Sequence, residues 1–128
     1  MPTRITNANL PNTLLALMEG PTPPDSFVSN GCTRAPDRIG GADLRAACHF
    51  HDYHYGLGGD ETDRQKADDM LFRNLMRCGL SAAKANVYYR RVRVLGTWFF
   101  TYCPLARPTP AQHWWIAVRC AFTRYMEF

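Results

Sequence analysis

Apolar positions recur along this chain mostly at three- and four-residue steps, and no stretch alternates with the period of two that marks a half-buried strand. Over residues 43–55 the steps place Leu44, Ala47, Cys48, His51, Asp52 and Tyr55 on one face of a predicted helix, which Gly56, Gly58 and Gly59 end. Residues 62–78 predict a second helix. Its first turn is acidic and its last basic, as the helix dipole favours, and Asp69, Phe72 and Met76 line one face with Gln65 a turn earlier. Gly79 closes that helix, and Ser81 caps a third running to about residue 103. The apolar stripe of this third helix is Val87, Val94, Leu95, Trp98 and Tyr102. Prolines at 104, 108 and 110 break the chain before a last helix at about 111–125, with Trp114, Trp115, Val118, Ala121 and Phe122. Before residue 43, proline, glycine and asparagine punctuate a loop-rich segment, and only 12–19 reads as a short helix. The expected class is mainly α, with two antiparallel helices bridged by a loop and further helices packed around them.

Length changes the picture by limiting it: 128 residues make one domain with one core. Its parts are a loop-rich segment (1–27), the loop and first two helices (28–78), and the later helices (81–126). The apolar share of 46% and charged share of 20% fit a globular protein. No apolar run reaches the roughly 20 residues a membrane span needs, and the longest candidate, 92–105, is interrupted by Arg93 and Pro104. Residues 1–20 hold one brief apolar patch, Leu14 to Met18, followed by Glu19. No signal peptide is therefore expected, which points to secretion or release by a non-classical route after cytoplasmic synthesis. The five cysteines fit an oxidising compartment, and their odd number leaves one thiol unpaired in any monomer.

The formal charge of +4, with Arg90, Arg91, Arg93, Arg107, Arg119 and Arg124 in the C-terminal half, favours anionic partners, either lipid headgroups or nucleic acid. Arg90, Arg91 and Arg93 are expected on a solvated face, and Trp98 in the core. Trp114 and Trp115 are adjacent, so both cannot face the core equally, which makes them candidates for a lipid interface.

Candidate chemistry gathers on the helix at 43–55. His51 and Asp52 lie about 100° apart around the axis and can reach one cleft; Cys48 precedes them by a turn and Tyr55 follows. A histidine that activates water needs its second ring nitrogen held by an acceptor, and the next helix offers Asp68 and Asp69. Upstream, Ser29-Asn30-Gly31-Cys32-Thr33 is a polar loop of the kind that turns carbonyl oxygens toward a hard cation. Calcium takes six to eight oxygens in irregular geometry, so Asp52 and such carbonyls suit it. His49 and His54 lie off the His51 stripe and are expected at the surface. A zinc site of His49, His51 and His54 is disfavoured because the first two diverge on a helix.

The run Asn30-Gly31-Cys32-Thr33-Arg34-Ala35-Pro36-Asp37, followed by Ala47-Cys48-His49-Phe50-His51-Asp52-Tyr53-His54-Tyr55, resembles the bacterial and fungal secreted phospholipases A2. Those enzymes share a Cys-Thr-x-x-Pro-Asp loop and an Ala-Cys-x-x-His-Asp-x-x-Tyr helix. The shorter His-Asp-x-x-Tyr core also occurs in animal secreted phospholipases A2 and in parvovirus capsid phospholipase domains. The likeness covers residues 28–78, about two-fifths of the chain. It implies hydrolysis of the sn-2 ester of glycerophospholipids, with His51 activating water. Asp69 would orient His51, with Asp68 as its rival, and Tyr55 would support that carboxylate. It further implies a Ca2+ ion on Asp52 and the carbonyls of Asn30 and Gly31, stabilising the oxyanion, and a Cys32–Cys48 disulfide pinning the calcium loop. The implied partner is a phospholipid bilayer or micelle surface, anionic in character, with no nucleic acid. Asn30 stands where the bacterial enzymes often carry Asp. The competing expectation is a non-catalytic, lipid- or membrane-binding helical module on the same scaffold.

Overall fold

The computed structural model describes residues 4–30 and 36–126, with side chains as far as residue 122. It is mainly helical: α1 (Asn12–Leu17), α2 (Arg45–Leu57), α3 (Glu61–Arg77), α4 (Ala82–Leu95) and α5 (Pro110–Met126) follow one another. A two-stranded antiparallel hairpin, β1 (Arg38–Ile39) and β2 (Ala42–Asp43), precedes α2. The sequence pattern showed no strand there, because two-residue strands around Gly40 and Gly41 are too short for a period to appear.

Local chemistry sets the helix ends. At the start of α2, Asp43 Oδ1 accepts from the Arg45 backbone N–H at 3.2 Å and from its guanidinium at 2.9 Å. Gly58 ends α2 with φ +71°, and a Cβ there would run into the Thr101 carbonyl. Asp60 and Asp63 form a reciprocal capping box on α3, at 3.0 Å each way. Ser81 caps α4 by accepting from Lys84 N at 3.3 Å.

The third predicted helix is shorter than expected. α4 stops at Leu95, and a 3-10 turn, Gly96–Trp98, takes the chain back toward α2, where Thr101 N donates to Tyr55 O at 3.2 Å. Its inward face carries Ala85, Tyr88 and Arg93, whereas Val87 and Leu95 are exposed. Trp98, expected in the core, is 39% exposed.

The main core joins Ile5, Leu10 and Met18 from the N-terminal segment to Leu44, Phe50, Leu71, Leu75 and Leu80. The N-terminal segment is tied down twice. Ile5 and Ser29 exchange backbone hydrogen bonds of 2.7 and 2.9 Å, and Glu19 caps its contact with α3 through Asn74 and Arg73. Among the described residues no helix is long and apolar enough to cross a membrane.

Candidate active site

α2 is wrapped on more sides than a one-face helix. Ala46, Ala47, Cys48, His49, Phe50, His51, His54 and Tyr55 are all buried. His49 and His54 are therefore interior, not surface, residues. His49 Nδ1 bonds Ser29 Oγ at 2.6 Å, and Phe27 packs on both the His49 and Tyr53 rings. His49, Asp52 and Tyr53 share one side of α2 by helical geometry. The chain segment ending at Ser29 and the exposed Asn30 thus lies along the side of α2 that presents Asp52.

The other side of the stripe meets α3. His51 Nε2 lies 2.8 Å from Asp68 Oδ1, and the Tyr55 hydroxyl donates to that same oxygen at 2.6 Å. The His51 and Tyr55 rings are 4.2 Å apart. The carboxylate that meets His51 is thus Asp68, not Asp69. Asp69 points elsewhere on α3, where Gln65 Nε2 (2.8 Å) and the Tyr89 hydroxyl (3.0 Å) donate to it. Phe72, on the same face as Asp69, stacks edge-on against Tyr89 on that outer side.

Asp68 is fully buried. Burial pushes its carboxyl pKa up, but the hydrogen bond and charge of His51, the Tyr55 hydroxyl and the Arg64 charge outweigh this and hold it below the ordinary range. An anionic Asp68 can only accept, so His51 Nε2 carries the proton. Nδ1 is then left with its lone pair, and among the described residues no hydrogen bond engages it. Tyr55 stays a donor, because burial and the neighbouring Asp68 charge raise its pKa well above normal.

Sequence reasoning missed two members of this cluster. Arg93 Nη1 lies 2.7 Å from Asp68 Oδ2, and Arg64 Nη1 lies 3.4 Å from it. Arg93, expected on a solvated face with Arg90 and Arg91, is buried. The Arg64 to Asp68 spacing of one helical turn was a usable signal; Arg93 offered none. Gly96 is needed here too, since a Cβ at that position would strike the Tyr55 hydroxyl and sit 3.1 Å from Arg64 Nη1.

Asp52 behaves differently from Asp68. It is half-buried, and among the described residues no side chain or backbone donor reaches it. Burial raises its pKa to about 6, with His51 opposing in part. A carboxylate that loses water without gaining a donor suits a cation as its partner. Among the described residues no three His, Cys, Asp or Glu side chains converge on one point. A cation at Asp52 would draw most of its ligands from carbonyl and water oxygens, which suits calcium. The expected ligand Gly31, and Cys32 of the expected disulfide, lie outside the described residues. Cys78, Cys103 and Cys120 carry free thiols, whereas Cys48 does not.

This environment predicts a pH signature in the metal-free protein. The Asp52 proton is held more tightly folded (about 6) than at its ordinary value of 3.8, so its ionisation opposes folding above about pH 6. The penalty disappears as pH falls toward 4. Asp52→Asn should raise the melting temperature by on the order of 5 °C at pH 8 and by almost nothing at pH 4. Equal gains at both pH values in calorimetry would refute this account.

α5 is unusual in what it turns outward. Trp114 and Trp115 are 66% and 65% exposed, with Val118 and Phe122 beside them, while the small Ala117 and Cys120 face inward. Trp98 joins this surface, with its ring 5.1 Å from that of Trp114. Comparison with family models, curated proteins and solved structures returned no match.

Proposed function

We propose that the protein is a calcium-dependent hydrolase of the sn-2 ester of glycerophospholipids. The observation that carries this reading is the arrangement of His51. Its Nε2 is committed to a buried anionic Asp68, its Nδ1 keeps its lone pair, and the neighbouring Asp52 lacks any described donor. His51 Nδ1 would take a proton from water as that water attacks the ester carbonyl. Asp68 and Tyr55 keep the imidazole in one tautomer and one plane throughout. Asp52 would hold Ca2+ together with carbonyls of Asn30 and Gly31. Calcium, when bound, supplies positive charge for the substrate phosphate and for the oxyanion. A Cys32–Cys48 disulfide would fix the loop to α2, a reading supported by Cys48 not being a free thiol.

The outward tryptophans of α5 favour a bilayer or micelle surface as the partner. Charge supports an anionic one, because residues 70–126 contain nine Lys or Arg and no Asp or Glu. The reading predicts fatty-acid release from phospholipid vesicles at millimolar calcium, absent in His51→Ala. Exchanging Trp114 and Trp115 for Ala should weaken binding to anionic vesicles about tenfold, leaving hydrolysis of dispersed short-chain substrate unchanged. The same aromatic surface also fits a non-catalytic lipid-binding module. Calcium and vesicle binding without ester cleavage would select that second reading.

A further inference from the structure

Asp68 stands where four helices meet, and its two oxygens have separate duties. Oδ1 takes both donors of α2, His51 and Tyr55. Among the described residues Oδ2 faces guanidinium groups alone, Arg93 Nη1 at 2.7 Å and Arg64 Nη1 at 3.4 Å. Arg64 is 0% exposed, and its remaining donors reach Glu61, Val92 O at 2.9 Å and Arg93 O at 3.2 Å. Both guanidiniums also point a donor at Cys120 Sγ of α5, at 3.4 Å from Arg93 and 3.7 Å from Arg64. Arg93 Nη2 approaches Glu61 Oε2 at 4.0 Å. Two buried cations are thus balanced by two carboxylates, Asp68 and Glu61, which makes their burial tolerable.

A carboxylate bonded on one oxygen only turns easily, since its terminal torsion is broad and nearly two-fold. A planar guanidinium on the second oxygen removes that freedom. We propose that Arg93, backed by Arg64, is a positioning residue that holds Asp68 Oδ2 so that Oδ1 stays aimed at His51 Nε2. The inference rests on the reading of His51 as the base. Sequence supplies an independent reason for the pairing: with no acidic residue between 70 and 126, Arg93 has no carboxylate on its own helix and must find one on α3.

The test compares Arg93→Met, Arg93→Lys and the double variant Arg93→Met with Glu61→Gln, which keeps the buried charges balanced. Arg73→Met, removing the surface pair of Arg73 and Glu19, is the comparator for lost helix contacts alone. Calcium-dependent hydrolysis of phospholipid is measured as kcat and KM. The 15N shifts of the His51 ring are read separately, without lipid or calcium. Folded Arg93→Met is expected to lose about 10- to 100-fold in kcat with KM unchanged. Arg93→Lys, keeping charge but not the fork, should fall between it and the parent. The parent ring is expected as the Nε2–H tautomer, and the Met variant as a mixture. If Arg93→Met does not fold, the double variant carries the same expectations. A folded variant with parental kcat and parental ring shifts would overturn the positioning role. Loss of the single tautomer on substitution, in a parent that cleaves no ester, would instead remove the hydrolase reading and support the positioning.

Discussion

Replacing Asp68 with Asn is expected to lower kcat by about 10²- to 10⁴-fold, while Asp69→Asn stays within about twofold of the parent. The two residues are neighbours, yet only Asp68 Oδ1 touches His51 Nε2. An amide at 68 can donate to Nε2, which would move the ring proton to Nδ1 and abolish the base. It would also leave Arg64 and Arg93 with less compensation, so the melting temperature must fall as well. Rates are therefore compared below the melting point of the variant, as fatty acid released per enzyme at saturating calcium. At Asp69, the change disturbs only contacts to Gln65 and Tyr89 near the surface. A large loss in Asp69→Asn with a near-parental Asp68→Asn would refute the assignment of the pair.

Withdrawal of calcium should reduce ester hydrolysis to background. Activity should return with half-saturation at about 0.1–1 mM, the range of calcium modules with few charged ligands. Asp52 would be the main charged ligand, since among the described residues no three His, Cys, Asp or Glu side chains converge on one point. Carbonyl and water oxygens contribute dipoles but no net charge, which keeps affinity low. Magnesium should not substitute, because it demands regular octahedral geometry and dehydrates reluctantly. Asp52→Asn should lose the calcium response and also the thermal stabilisation that calcium gives the parent. Full hydrolysis in chelator, or half-saturation at micromolar calcium, would defeat this expectation.

The helical class was legible because α2, α3 and α5 carry long three- and four-residue periods with caps and breakers at their ends. Less legible was the end of α4. Leu95, Trp98 and Tyr102 keep a helical spacing, yet the chain leaves the helix so that Thr101 can bond Tyr55 and Gly59. That contact is tertiary and has no local sign. The buried side of α4 was misread for a related reason: Arg93 occupies a position where periodicity seeks an apolar residue. At the site, His51 and Tyr55 could be placed from their spacing alone. Choosing between Asp68 and Asp69 could not, because they differ by about 100° on α3 and that angle decides only once α2 is docked. His49 and His54 lie off the His51 stripe, and what buries them comes from segments distant in sequence. The segment at Phe27 to Ser29 covers one flank, and Gly20 abuts the His54 ring on another.

The junction at Asp68 has a consequence for how the protein comes to life. Its partners arrive from α2, α3 and α4, and α5 closes over them through Cys120. Each helix pair in this order is a neighbour in sequence, so hairpins can form early and quickly. The His51 contact with Asp68 forms when α2 docks on α3, and Arg93 joins it when α4 packs against α3. A nascent chain, or one unfolded for passage through a narrow pore, would carry His51, Tyr55 and Asp68 without the contacts that order them.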